Sequence, residues 1–425
     1  MSKLFLIFVF YITLFISNYS LPQWITLNSG TGQNINAIQF INPQTGYAVG
    51  AAGTIIKTTN TGINWTSLNT GSSVEIRSVY FLNSSVGIVC GYNGTILKTN
   101  NGGNNWSIVN SGTTNHLFGI SFYNDSVGIC SGNSGTTLYS SNGGNTWLTG
   151  SPTGYMVTFY SSFMVNTTVG YSAGVNTIFS PLVAKTTNSG ANWTYYSFMV
   201  NNNEATLRDV HFFDTQNGIA VSNLWNGQGG ISRTTNGGVN WSSQIFTSGI
   251  FGIDFPNPLT GYCVGLNGLI LKSGDGGNNW IQQSSGTTSL LNSVDFVDSI
   301  NGFAVGNGGI ILKTTNGGIT SIINNSNNVP DKFYLYQNYP NPFNPSTIIR
   351  YEIPDLLSTR ILGEDLVTLK VYDILGKEIE TLVNERQMPG TYEATFNASR
   401  YPSGVYFYKL TTEGYSEAKK MILLR

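Results

Sequence analysis

One phrase returns through most of this chain and limits what it can fold into. It reads GTIIKTTNTGINW at Gly53–Trp65, GTILKTNNGGNNW at Gly94–Trp106 and GLILKSGDGGNNW at Gly268–Trp280. Trp65, Trp106 and Trp147 are spaced by 41 residues. Self-similarity at such a period marks a propeller or a solenoid, because a unit this short can bury its apolar face only against copies of itself.

Each unit reads in four parts. An alternating apolar run comes first: INAIQF at 35, IRSVYF at 76, LFGISF at 117, LRDVHF at 207, IFGIDF at 250 and LNSVDF at 291. A Gly-bounded segment follows, such as GYAVG at 46, GIVCG at 87 and GFAVG at 302. The GTIIKTT run is third, and a segment opened by Trp is fourth. Period-2 alternation between Gly and Asn turns is the strand signal, and four strands per repeat make a propeller blade. Composition agrees with a hairpin-rich all-β chain: 50 of 425 residues are Gly, 13% are aromatic and 10% are charged. A net charge of -1 excludes the charge-rich disordered class and offers no basic surface for nucleic acid.

The Trp anchors count the blades. They stand at Trp24, Trp65, Trp106, Trp147, Trp193, Trp241 and Trp280, while the first strands begin near 35, 76, 117, 157, 207, 250 and 290. The last set ends in TTNGGITS, with Ser321 at the Trp position, and the chain begins with an orphan Trp segment, PQWITLN. Closure solves both: the N-terminal strand completes the last blade from outside and removes two open edges. The expected architecture is a seven-bladed β-propeller over residues 21–320, then a linker over 321–330 and a small Ig-like β-sandwich over 331–425.

The turn before each Trp is a motif of its own, Thr58-Thr59-Asn60-Thr61-Gly62-Ile63-Asn64-Trp65, with Asp275 in the Asn60 place of the copy ending at Trp280. A short amide or carboxylate bonds the backbone of its own turn, Gly supplies the positive φ, and the indole packs between sheets. Burying roughly 200 Å² of indole contributes on the order of 5 kcal/mol before entropy is counted. This turn resembles the Asp-box, or bacterial neuraminidase repeat, and the fuller unit resembles the photosystem II assembly factor type of propeller. In those families the box is a folding element away from the active face. The resemblance therefore implies a fold and assigns Asn60, Asp275 and the Trp series to structure.

The two ends of the chain carry an address. MSKLFLIFVFYITLFISNYS has a basic start, an apolar stretch over Leu4–Ile16 and small or polar residues after it, the pattern of a secretory signal peptide over residues 1–20. The apolar stretch is shorter than the roughly 20 residues that span a bilayer, so no stable transmembrane anchor is expected. Beyond the Asn-rich stretch at 321–330, four elements stand in order: Pro340-Asn341-Pro342-Phe343-Asn344-Pro345, Val371-Tyr372-Asp373-Ile374-Leu375-Gly376, Ser403-Gly404-Val405-Tyr406-Phe407 and Lys420-Met421-Ile422-Leu423-Leu424. They resemble the type A C-terminal sorting domain of the type IX secretion system. That resemblance implies passage through the periplasm, the secretion machinery and its sortase as partners, and secretion or attachment at the outer-membrane surface. The charged stretch Leu356–Asp365 departs from the compact pattern but touches none of the four elements.

Chemistry is sparse. Lys57, Lys98, Lys185, Arg233, Lys272 and Lys313 all occupy one repeat position and read as solvated stems over strand edges. Arg77 and Arg208 stand at equivalent first-strand places, with Glu75, Glu204 and Asp209 close in sequence. First strands line a propeller's channel, so Glu75, Arg77, Arg208 and Asp209 are the candidate ligand-binding residues, with paired surface charges as the bland alternative. Asp254 and Asp295 are the best carboxylate pair for a polysaccharide-cleaving hydrolase, yet they read as fillers of a solvent-facing slot before the strand Phe. The two histidines, His116 and His211, and the separated Cys90, Cys130 and Cys263 give no metal-ligand spacing. Neither cofactor, metal nor catalytic residue is expected. The favoured function is a secreted or cell-surface binding protein for a glycan, peptide or protein, with the irregular fourth repeat, Tyr155–Tyr196, as the first place to look. The second is a glycoside hydrolase on the same scaffold.

Overall fold

A computed structural model of the chain describes residues 23–151, 157–318, 332–354, 365–387, 390–412 and 414–424. The expected signal peptide, the linker, Ser321, Tyr155 and most of the Leu356–Asp365 stretch lie outside the described residues. Two compact units divide the chain, Met1–Ser321 and Ile322–Arg425.

In the first unit the described residues form seven four-stranded antiparallel sheets. Blade one is typical: an inner strand Ile35–Phe40, a second strand Gly46–Gly50, a third strand Ile55–Thr58 and an outer strand Thr66–Ser67. Inner strand Ile35–Phe40 packs against Ile76–Phe81 of blade two and against Leu291–Phe296 of blade seven, so the blades form a closed ring. Blade seven takes its outer strand from the start of the chain, with Ile25 opposite Lys313 and Leu27 opposite Ile311. Trp24 is 3% exposed there, packs edge-on to Phe296, and its Nε1 donates to Gln283 Oε1 at 2.9 Å.

The repeat phrase maps onto one packing unit. The Phe that ends an inner strand meets the Trp of its own blade edge to face, as Phe40 meets Trp65 at 6.1 Å and Phe81 meets Trp106 at 6.1 Å. Its face stacks on the second strand of the preceding blade, Tyr47 on Phe81 at 3.6 Å and Tyr262 on Phe296 at 3.6 Å. The Gly that opens the second strand is what lets the ring lie there. A Cβ at Gly87 would stand 2.5 Å from the Phe81 ring, inside any van der Waals contact. Blade four breaks the unit: its inner strand Val157–Met164 ends in Met164.

The turns hold themselves. Asn60 Oδ1 accepts the Asn64 N–H at 3.0 Å, and Thr58 Oγ1 accepts the Gly62 N–H at 3.0 Å. Asp275 accepts the Asn279 N–H the same way, at 2.9 Å. Only an acceptor oxygen is needed at this place, which is why Asn replaces Asp in most copies.

The repeated cations are not solvated stems, contrary to the expectation from sequence. Lys57 Nζ donates to Gly102 O at 2.9 Å, Lys98 to Gly143 O at 2.7 Å, Arg233 to Gly276 O at 2.8 Å and Lys313 to Thr61 O at 2.8 Å. Each crosses to a backbone carbonyl in a turn of the following blade, and Gly102 O accepts from the Tyr47 hydroxyl as well. Burial holds Lys98 and Lys313 below the usual lysine range. The three cysteines are buried free thiols.

The second unit is a β-sandwich. One sheet orders Tyr334–Leu335, Ser346–Ile353 and Gly390–Asn397; the other orders Glu378–Gln387, Asp365–Tyr372, Gly404–Thr411 and Ser416–Leu423. Alternate residues of both meet in a core that includes Ile349, Tyr351, Leu369, Phe396, Tyr408 and Met421. The Pro340–Phe343 segment is stitched to the last strand: Asn341 Oδ1 accepts the Ile422 N–H at 2.9 Å, and Phe343 enters the core. Pro340 and Pro342 are exposed. Gly376 closes the Asp373 turn with φ +80°, exposed Gly404 opens its strand, and Tyr406 lies in the core with its hydroxyl on Pro402 O.

Candidate functional site

Every inner strand of the propeller carries a β-bulge near its start. The register skips Asn36, Arg77, Phe118, Tyr160, Arg208, Phe251 and Asn292 in blades one to seven. A bulged residue leaves the ladder and is re-aimed. Here all seven line one cavity of about 400 Å³, so the bulges form a ring in the channel. Because the bulges lie at the starts of inner strands, the cavity opens on the face of the second-to-third hairpins. The Asn60-type turns occupy the opposite face.

Glu75, Arg77, Arg208 and Asp209 all line this cavity. Their surroundings differ. Arg77 pairs with Glu75 at 3.0 Å and lies 5.7 Å from the Phe118 ring centre. Glu75 also accepts from Asn36 Nδ2 at 3.1 Å. Arg208 has no carboxylate partner among the described residues. Its guanidinium sits between two rings, 4.7 Å from the centroids of both Tyr160 and Phe251, and its Nε is buried without a hydrogen bond. Burial pulls Arg208 below the usual arginine range, with the Arg77 charge adding to this and Tyr160 opposing it. An arginine at such a place keeps its proton.

Asp209 turns away from Arg208. It accepts from Ser161 Oγ at 2.6 Å, from the Val210 N–H at 2.8 Å and from the Ile253 N–H at 3.1 Å. Burial raises its pKa to about 6 against these bonds. It is a strut between blades four, five and six as well as a cavity wall.

Asp254 and Asp295 are not solvent-facing, which corrects the reading from sequence. Asp254 Oδ2 accepts the Phe296 N–H at 2.8 Å and Asp295 Oδ2 accepts the Phe40 N–H at 2.7 Å. Gln39, Tyr80 and Ser121 at the same place bond Phe81 N, Phe122 O and Met164 N of the following blade. Blades four and five replace the bond by ring contacts, Phe163 to His211 and His211 to Phe255. Burial raises Asp254 to about 7 and lowers His211 to about 4. Both carboxylates are spent on blade-to-blade contacts, which removes the best candidates for paired glycosidase acids.

The reading from sequence missed Asn36, Phe118, Tyr160, Phe251 and Asn292. A signal existed for four of them. Asn36, Phe118, Phe251 and Asn292 are each the second residue of the inner-strand phrase, where Asn, Arg and aromatic residues interchange while the first and fourth places stay apolar. Tyr160 is instead the fourth residue of the longer strand Val157–Met164.

Comparison with known proteins follows this division. Residues 16–114 and 244–339 match the family Photosynthesis system II assembly factor YCF48, and residues 337–424 match the family Secretion system C-terminal sorting domain. No curated protein matches the chain. Among solved structures it is similar to YCF48 bound to D1 peptide, at 19% identity and TM-score 0.58, covering 69% of this chain and 96% of that one. YCF48 from Cyanidioschyzon merolae aligns at 18% identity and TM-score 0.54, covering 68% and 98% of the two chains. The WD40 propeller domain of Doa1 aligns at 14% identity and TM-score 0.55, covering 68% and 94%. The chain is therefore an all-β propeller similar to the photosynthesis system II assembly factor YCF48, carrying a C-terminal sorting domain of the type IX secretion system.

Proposed function

We propose that this is a secreted or cell-surface binding protein whose propeller receives an anionic group, in the first instance a peptide carboxylate, in the channel cavity. Arg208 carries the reading. A guanidinium held between two rings, with no carboxylate partner among the described residues, offers its donors to a ligand oxygen or water in the cavity. Arg77 stands in the same cavity with its charge shared by Glu75, so Arg208 is the primary contact and Arg77 the secondary one. A propeller of this fold has been solved with a peptide, which makes an acidic peptide the first ligand to try. Asp209 and Glu75 shape the cavity and set which acids fit.

The sorting tail supplies the route. In this reading the signal peptide carries the chain across the inner membrane. The Pro340–Phe343, Gly376 and Gly404–Tyr406 elements are then read by the secretion machinery, and the sortase removes the tail. Intact mass of the exported protein checks that removal: a product still ending at Arg425 contradicts it.

Calorimetric titration of the full-length protein with short peptides tests the binding site. Peptides ending in a free carboxylate should bind, their amides should bind more weakly, and Arg208→Ala should weaken binding at least tenfold. Equal binding of amidated peptides, or unchanged binding in a folded Arg208→Ala variant, would refute the assignment.

A further inference from the structure

The second-to-third hairpin is where blades four and five depart from the regular blades. In blades one, two, six and seven it is one tight turn whose middle residue is left-handed: Ala52, Asn93, Asn267 and Gly308. In blade four the flanking strands lengthen to Gly170–Asn176 and Pro181–Thr186, and in blade five to Gly218–Leu224 and Gly229–Thr234. The tips therefore stand further from the ring. They carry Ile178, Phe179 and Trp225, which are 73%, 46% and 63% exposed. Trp225 is the one exposed tryptophan among the described residues. Phe179 meets it edge to face, with centroids 4.5 Å apart and planes at 72°. That contact joins the two tips and fixes the indole.

The setting of this pair is polar and carries one charge: Glu204 is exposed on the connection between the blades, one residue beyond the Ala205–Leu224 pair that precedes Trp225. No Asp, Glu, Lys or Arg occurs over residues 170–184 or 216–232. Asn226 Nδ2 bonds Gln228 Oε1 at 2.6 Å, Asn201, Asn202 and Asn203 are exposed on the connection between the blades, and Asn223 leaves its Oδ1 buried and unpaired. The hairpin of blade five also stands beside the cavity mouth. Gly227 O accepts the Gly249 N–H at 2.9 Å, two residues before Phe251 of the bulge ring.

We infer that Trp225 and Phe179 form a stacking platform for a neutral saccharide. Together with Ile178, side chains of roughly 150–250 Å² at these exposures leave about 270–460 Å² of apolar surface. That is well short of the roughly 800 Å² that one side of a stable protein interface covers. Hairpins without Lys or Arg give an anionic partner nothing to pair with, and the single Glu204 carboxylate can accept from hydroxyls. A pyranose matches both properties: its C–H face lies flat on an indole, and its hydroxyls donate to and accept from amide side chains. This platform needs Trp225 and Phe179 and does not rest on the carboxylate site at Arg208, so either can fail without the other.

Affinity electrophoresis of the full-length protein through gels containing laminarin, mannan or xyloglucan tests the platform. Acrylamide quenching of tryptophan fluorescence is followed in parallel. At least one polysaccharide should retard the protein and shield its fluorescence. Trp225→Ala and Phe179→Ala should weaken that retardation at least tenfold, Trp225→Phe should keep part of it, and Arg208→Ala should leave it unchanged. The variants alter exposed tips, and their thermal unfolding reports that they remain folded. Absence of retardation by all three polysaccharides overturns the inference. So does retardation that survives Trp225→Ala, or Trp225-dependent capture of a peptide in their place.

Discussion

In blade two the inner strand ends on Phe81, whose ring lies across Gly87, stacks on Tyr47 and meets Trp106 edge-on. In blade four the same place holds Met164, and Gly170 faces a thioether, 2.6 Å from a would-be Cβ. The indole of Trp193 thus has no Phe to meet edge-on; like Trp241 and Trp280 it donates to the Gly of its own turn, Gly190 O at 2.9 Å. The difference separates two kinds of blade. Where the phrase is strict, nearly every repeated side chain is engaged with a neighbouring blade: Phe with Tyr, Lys with a turn carbonyl, Asp or Gln with an inner-strand N–H. Where it is relaxed, in blades four and five, the cavity gains Tyr160, Arg208 and Asp209, and the hairpins gain an exposed aromatic tip. The family match leaves this stretch uncovered, together with blade three at Leu117–Thr149, in a gap from residue 115 to 243.

The largest effect should come from breaking the ring where it closes. Deleting residues 23–28 removes Trp24 and the outer strand of blade seven, and it bares the edge Ile311–Thr314. Loss of such a buried indole alone costs about 3–5 kcal/mol. The truncated protein should lose its cooperative thermal transition, whereas replacing Thr177–Phe179 of blade four by Asn-Gly should move Tm by only a few degrees. Comparable losses from both would abolish the distinction between the two kinds of blade.

A finer contrast sets glycine against glycine. Gly87→Ala forces a methyl into the Phe81 ring and should cost about 2–3 kcal/mol, at the upper end of overpacking penalties. Gly170→Ala meets a flexible sulfur and should cost at most about half of that. Urea unfolding of the two variants measures both, and equal midpoints would contradict the packing account.

The smallest effect concerns protons. Asp254 is held at about 7 by burial, opposed by its backbone bonds and assisted by the Asp209 charge. The unfolded value lies near 4. The folded state thus binds a proton that the unfolded chain releases. This contribution is fully present below about pH 4 and is lost as pH rises through 7. Tm should fall by a few degrees between pH 5 and pH 8, and Asp254→Asn, which keeps an acceptor for Phe296 N, should flatten that slope. A variant with the same slope as the parent would assign the effect elsewhere.

Much of the fold was legible because the repeat writes each packing unit several times over. The alternation in INAIQF, the Gly that opens GYAVG and the Trp after each turn all correspond to strands and contacts in the structure. Much of the site was not legible. Arg77 and Arg208 could be singled out because a cation is rare in these strands. Their aromatic neighbours could not, since Phe118, Tyr160 and Phe251 look like ordinary β-strand residues until the bulge turns them into the channel. The cations of the third strand and the pair Asp254 and Asp295 were misread for a related reason. A long polar side chain at a repeated place reads as solvent-facing in a single blade, and only a neighbouring blade shows the carbonyl or N–H it reaches.

By itself the sequence determined the repeat unit, the all-β class and the sorting tail, because these depend on local patterns: alternation, turn chemistry and ordered motifs within one segment. Tertiary structure decided which groups are available for a ligand. Curling the sheets into a ring brings the seven bulges, from Asn36 to Asn292, into one cavity. It consumes the repeated Lys and Asp side chains between blades, and it leaves Arg208 without a carboxylate among the described residues. Availability depends on which partners lie within hydrogen-bond reach, and those partners come from segments more than 40 residues away in the chain.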